Sequence, residues 1–142
     1  MIDIENIVFT RISDAVRAEY PGASVYGEYV ETPAAFPCVT IVEADNAVYE
    51  RTRDLDGIEH HARVMYEINI YTNDSQGKKS KAKSIASVID GKMAEMFFTR
   101  IFRGQTPNID RSIYRITMRY QAVVREAVEK NGVKYHVMHT TR

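Results

Sequence analysis

The chain has 142 residues, of which 44% are hydrophobic and 27% charged, as in a globular domain with its own core. Its 19 basic and 19 acidic residues balance, so net charge indicates neither a nucleic-acid nor a membrane-surface partner. The single cysteine, Cys38, excludes an intrachain disulfide and a thiolate zinc site. No apolar run approaches the roughly 18 residues of a membrane span, and the acidic N-terminus does not resemble a signal peptide. We therefore expect one domain, residues 1–142, made and kept in a cytoplasm.

The chain begins with a predicted amphipathic helix from Asp3 to Tyr20, in which apolar residues recur at spacings of three and four. Asp3 is the expected N-cap, and Pro21-Gly22 ends the helix. A short strand, Ser24–Tyr29, is expected next.

The segment after it, Glu31–Pro37, carries two prolines and is predicted to be a turn, because proline cannot donate to a strand ladder. A short strand is predicted over Cys38–Glu43. The charged stretch Asp45–Gly57 has no clear periodicity and is expected to be a loop or the tip of a long hairpin, an arm that could order against a neighbour.

Two strongly alternating strands define the fold. The first begins between Ile58 and Val64 and continues to Thr72, and the second spans Tyr114–Val124. Alternation this long predicts a sheet with one face in a core and the other facing water or a partner. The expected core positions are Val64, Tyr66, Ile68 and Ile70, and then Tyr114, Ile116, Met118, Tyr120, Ala122 and Val124.

An amphipathic helix is predicted between these strands, over Lys78–Phe98. Gly91 lies inside it at a cost of about 1 kcal/mol relative to alanine, for which close packing against the sheet would be one reason. The segment Arg103–Asn108 is expected to be a loop. After the last alternating strand, Asn131-Gly132 is the type I′ turn signal of a hairpin that joins Val123–Lys130 to Val133–Met138.

The predicted order is thus α, β, β, β, α, β, β. It indicates an α+β fold, a two-layer sandwich of a mostly antiparallel sheet with two helices packed on one face and a C-terminal β-hairpin.

Catalytic and metal-binding residues are not indicated. His60 and His61 are adjacent, so a strand would point them to opposite faces. The stretch Asp54–Gly57 has only part of a calcium-loop pattern and is expected to be a solvated turn. Cys38 has no base nearby in sequence and is expected to pack as a small core residue. We therefore predict no catalytic residue, no metal site and no cofactor.

Two groups of cations are candidates for an interface or for the lining of a lumen. Four lysines begin the second helix, where the helix dipole disfavours positive charge, and this local conflict can mark a functional site. Three arginines follow one strand, two of them on a face with uncharged polar groups, which suits a wet interface. A solvated surface is the alternative for both groups. The residues are Lys78, Lys79, Lys81, Lys83, Arg115, Arg119 and Arg125.

The order of these segments resembles a known family. The N-terminal helix, Phe36–Ile41, the strand Tyr66–Thr72, the helix Ala82–Phe97, and the run from Thr106 to Tyr120 together are similar to the tail terminator, or head–tail joining, proteins of long-tailed bacteriophages and prophages. The resemblance is one of pattern and length over about residues 3–124.

This resemblance implies a structural virion protein of the tail or neck, assembled in the host cytoplasm. Such proteins form a ring, usually a hexamer, on the head-proximal end of the tail tube. The ring stops tube growth and docks the head connector, and DNA passes through its lumen without sequence-specific binding. The expected partners are copies of the chain itself, the tail tube protein and the connector. Two alternatives stay open: another phage neck or tail protein, such as a connector or tube subunit, and a small α+β binding module or enzyme.

Overall fold

The computed structural model describes residues 1–48, 61–129 and 132–138 of the chain. Two helices and six strands follow one another in the order α1, β1, β2, β3, α2, β4, β5, β6. Their bounds are α1 Glu5–Glu19, β1 Ser24–Tyr26, β2 Cys38–Val48, β3 His61–Thr72, α2 Lys78–Glu95, β4 Thr99–Gln105, β5 Tyr114–Glu129 and β6 Gly132–Met138.

All six strands belong to one sheet with the order β1-β2-β3-β5-β4, and β6 also pairs with β5. Among the strands of the described residues, β1 and β2 pair in parallel and the other pairs are antiparallel. β3 occupies one side of β5 from Tyr114 to Arg125, so β4 and β6 share the other side, with β4 against residues 116–121 and β6 against residues 123–129. The sheet therefore ends at β1 and β2 on one side and at β4 and β6 on the other.

The core lies between the two helices and one face of the sheet. Val64, Tyr66, Ile68 and Ile70 are fully buried in the same cluster as Val8 of α1 and the apolar residues of both helices. Ile116, Met118, Tyr120, Ala122 and Val124 of β5 join this cluster, and Tyr114 packs against it. The α+β class, with both helices on one face of a mostly antiparallel sheet, is thus confirmed.

Helix ends differ slightly from the predictions. Ile4, not Asp3, is the N-cap of α1, and the Asp3 carboxylate accepts a hydrogen bond from the backbone N–H of Glu5 at 3.0 Å. α2 ends at Glu95, three residues before the predicted end, and Gly77 precedes it in the left-handed region with φ 77°. Gly91 is exposed, and a Cβ added there would meet no atom within 4 Å. Close packing is therefore not the reason for this glycine.

The strand predictions need three corrections, the first of which is that β1 ends at Tyr26 and not at Tyr29. Thr99–Gln105 forms β4, whereas the prediction has a loop over Arg103–Asn108 and no strand between it and the helix that ends at Phe98. β2 continues beyond the predicted Cys38–Glu43 to Val48, through a register shift between Glu43 and Asp45.

The C-terminal hairpin is present, with Glu129 paired to Gly132. Gly132 thus already belongs to β6, one residue earlier than predicted, and the other turn residue, Asn131, lies outside the described residues. The rest of the predicted arm, after Val48, and the stretch Ile58–His60 before β3 lie outside them as well.

Candidate interface surfaces

The face of the sheet that points away from the helices, here called the outer face, carries a polar network centred on Asn69. Asn69 is fully buried. Its Oδ1 accepts hydrogen bonds from Nε of Arg115 at 3.0 Å and from Oγ1 of Thr117 at 2.6 Å, and its Nδ2 donates to Oε2 of Glu67 at 3.2 Å. Because the only proton of the Thr117 hydroxyl goes to Asn69, Thr106 must donate the hydrogen bond that joins the two threonine hydroxyls.

Arg115 and Arg119, predicted to share a polar face, are both fixed on the outer face. Nε of Arg119 donates to Oε1 of Glu67 at 3.0 Å, and the side chain of Glu67 is only 13% exposed against 47% for Arg119. The guanidinium of Arg119 lies over the ring of Phe102 at 5.3 Å, and that of Arg115 over Tyr71 at the same distance. These contacts hold two cations in defined positions while four N–H groups of each guanidinium can still bind a partner.

Arg125 lies further along the same face of β5 and is exposed. The continuous β3–β5 register keeps it on the side of Arg119, at a separation of about 20 Å for six residues of extended strand. The structure therefore brings Arg115 and Arg119 together and leaves Arg125 apart from them.

A cleft of about 680 Å³ opens on the outer face beside Arg115. Tyr71 and Arg115 line it from the strands, and the segments 29–32 and 107–113 supply most of its walls. Ile109, on its rim, is fully exposed. Burial, and after it the nearby carboxylate of Glu67, raise the pKa of Tyr29. The cleft combines aromatic, aliphatic and cationic groups, as surfaces that bind another protein commonly do.

The four lysines of the predicted cluster divide into two pairs. Lys78 donates to the backbone carbonyls of Arg111 and Ser112, at 3.3 Å each, and Lys81 lies 3.4 Å from Oδ2 of Asp74. These two lysines therefore anchor the start of α2 to neighbouring loops.

Lys79 and Lys83 instead line a shallow cleft between α2 and β4, together with Arg103. The same groove continues past Arg100 and Asp90, which form an ion pair at 2.9 Å. We call this surface, lined by Lys79, Lys83, Arg100 and Arg103, the basic cleft.

β4 is the part of this surface that the sequence did not indicate. Nearly all of its residues are exposed, and Ile101 and Phe102 remain 48% and 43% exposed despite their size. The signal that could have revealed it is the pair Ile101-Phe102 itself, two strand-favouring residues close before Gly104 and Pro107.

Of the residues weighed for catalysis or metal binding, the structure describes Cys38 and His61. Cys38 is fully buried, and burial raises the pKa of its thiol to about 11, so it stays a neutral thiol. His60 and the stretch Asp54–Gly57 lie outside the described residues. Within the described ranges, no group of three or more histidine, cysteine, aspartate or glutamate side chains could hold a metal ion. None of the helices in this part of the chain has the length and apolar character needed to cross a bilayer.

The fold is shared with a virion protein. A solved chain from the virion of a native gene transfer agent particle superimposes with a TM-score of 0.61 at 19% sequence identity, and the match covers 80% of this chain and 88% of that one. A search of curated protein sequences finds no significant match.

The sequence itself identifies the family. Residues 9–125 match the family described as tail completion protein gp17. The chain belongs to this family and is a structural protein of the phage tail, located in the virion. The resemblance to tail terminator proteins is thereby confirmed.

Proposed function

We propose that this protein forms a ring that caps the head-proximal end of the phage tail tube. In this role it stops the tube from growing and provides the surface to which the head connector docks. The observation that carries the proposal is the family match over residues 9–125, since a tail is completed where its growth ends. The proposed assembly is a hexamer with a lumen through which DNA passes.

The described surfaces are compatible with such an assembly. A ring subunit needs two different surfaces that bind each other between neighbouring copies. The outer face offers fixed cations and a cleft, and β4 offers exposed apolar side chains at the opposite edge from β1. None of these surfaces needs a catalytic group, and we propose that the protein is not an enzyme.

We further propose that Arg119 and Arg125 face the lumen or the neighbouring subunit. Arg125 is tested by substitution with glutamate, and Arg119 with glutamine, which adds no carboxylate beside Glu67, in a phage that lacks its own copy of the protein. A variant that assembles rings and still lowers DNA transfer would place its residue in the lumen, whereas a variant that fails to assemble would place it in a subunit interface. Wild-type behaviour of both variants would remove both assignments. Arg115 is unsuitable for this test, because its hydrogen bond to buried Asn69 contributes to folding.

The ring itself is tested by measuring mass in solution by light scattering, over a range of concentrations, alone and with the tail tube protein. The expected result is a closed oligomer near six subunits, either free or on tube ends seen by electron microscopy. Added during tube polymerisation, the protein should shorten the tubes and appear at one end only. A protein that stays monomeric, ignores tube ends and leaves tube length unchanged would refute the proposal and favour a connector, a tube subunit or a separate binding module.

A further inference from the structure

We propose that neighbouring subunits join through opposite charges, with the basic cleft of one copy against an acidic surface of the next copy. The inference rests on the proposed ring and names the two surfaces that would close it. Both lie on the helix-bearing side of the sheet, one at each edge, and the partner is a second copy of this chain.

The basic cleft lies at the β4 edge. Lys79 and Lys83 stand one helical turn apart on α2 and line it together with Arg103 of β4. Next to them, the ion pair between Arg100 and Asp90 neutralises one further cation. The cleft therefore has a net positive charge that the described part of the subunit does not balance locally.

The acidic surface lies at the β1–β2 edge, and we call it the acidic cleft. Glu5 and Glu28 line it around Phe9 and Ile41. Asp3 and Glu43 are close by: burial first, and then the charges of Glu5 and Asp3, raise the pKa of Glu43. No cationic side chain is among the described residues that line this cleft.

The two clefts cannot pair within one subunit, because the whole width of the sheet separates them. Four strand-to-strand steps lie between β1 and β4, which is about 19 Å. Large apolar side chains are also exposed at both edges, on the outer face of the sheet: Phe102 on β4 is 43% exposed and Tyr26 on β1 is 40% exposed. Each edge thus presents a charge and a large apolar side chain to whatever docks there, and the partner that supplies both complements is another copy.

DNA is the other polyanion that could occupy the basic cleft. A role in DNA binding would leave the acidic cleft at the opposite edge without a partner, whereas pairing between copies uses both. The equal numbers of acidic and basic residues in the whole chain also favour pairing between copies over a phosphate-binding surface.

The test is a charge exchange. One variant carries Lys79→Glu with Lys83→Glu, which favours the start of α2 through the helix dipole and so should not impair folding. The other carries Glu5→Lys with Glu28→Lys. The matched control, Ser80→Glu with Ser84→Glu, adds carboxylates to exposed positions of α2 that do not line the basic cleft. Circular dichroism checks that each variant is folded.

Each reversed variant alone should lose association by at least about tenfold, because like charges then face each other. An equimolar mixture should recover rings in which the two variants alternate, seen as equal amounts of each in the isolated oligomer. The control should assemble like the wild type. If the Glu5 and Glu28 variant does not fold, the lysine variant and the salt dependence of the wild-type ring still decide the question.

Two failures are distinguishable. Rings that form from the wild type and equally well from both reversed variants would overturn the charge pairing and leave the proposed function standing. The charge pairing would also be overturned if the lysine variant still formed rings and lost only DNA binding, or if the equimolar mixture formed no rings. A wild type that forms no ring, free or on tube ends, would overturn the proposed function and this inference with it.

Discussion

Replacing Gly91 with alanine should stabilise the chain, although glycine at a helix covering a sheet usually indicates close packing. Gly91 lies within α2, is exposed, and has no heavy atom within 4 Å of the position a Cβ would take. The substitution therefore has no steric cost, and the helix preference of alanine over glycine remains, worth about 1 kcal/mol. For a domain of this size such a gain corresponds to a rise in Tm of about 3 °C.

Gly77 supplies a matched control at the N-terminus of the same helix. A Cβ at Gly77 would also meet no atom within 4 Å, but the backbone there has φ 77°. Residues with a Cβ pay roughly 1–2 kcal/mol in this left-handed region. Gly77→Ala should therefore destabilise the chain by about that amount, so the same chemical change should have opposite effects on stability at the N-cap and in the interior of α2.

Urea denaturation followed by circular dichroism measures both effects. The reasoning is refuted if Gly91→Ala lowers the free energy of unfolding, or if both variants change stability in the same direction. Gly91 also lines the basic cleft, so the variant has a second use. A chain that is more stable as a monomer but assembles less well would indicate that a neighbouring copy approaches the helix at this position.

Three further predictions concern buried groups of the sheet. Asn69→Ala removes three hydrogen bonds, two of them to charged side chains, and should cost about 2–4 kcal/mol in urea denaturation; a loss no larger than that of exposed Asn73→Ala would contradict this. Thr40→Val should stabilise by about 1 kcal/mol, because the fully buried Thr40 hydroxyl has no hydrogen-bond partner among the described residues; destabilisation would reveal a partner for it. Burial raises the pKa of the Cys38 thiol from 9.0 to about 11, so the unfolded chain releases this proton first. The free energy of unfolding should therefore fall by about 2 kcal/mol between pH 9 and pH 11. That of the Cys38→Ala variant should fall less over the same interval, and equal losses would exclude the thiol as the cause.

The strands that the sequence predicted well are those with one buried face. β3 and β5 alternate because the core excludes polar groups at every second position, as at Tyr66 and Met118. β4 has no such face: nearly every residue from Thr99 to Gln105 is exposed, so no hydrophobic alternation marks it. Its strand character comes from pairing with β5, and the sequence pattern of the segment itself does not reveal this pairing.

The candidate surfaces illustrate the same limit. Sequence placed Arg115 and Arg119 on one face correctly, since side-chain direction follows from the strand period. It could not show that Arg115 bonds a buried asparagine from another strand. Nor could it divide the lysines, because the roles of Lys78 and Lys81 depend on loops that fold back against α2.

The basic and acidic clefts place opposite charges at the two edges of the sheet, in a chain whose formal net charge is zero. Two copies that approach with identical edges repel each other, so symmetric two-fold dimers are disfavoured. Copies that approach in the same orientation attract, and added salt weakens both effects. A protein without net charge can thus select one direction of assembly before any close contact forms.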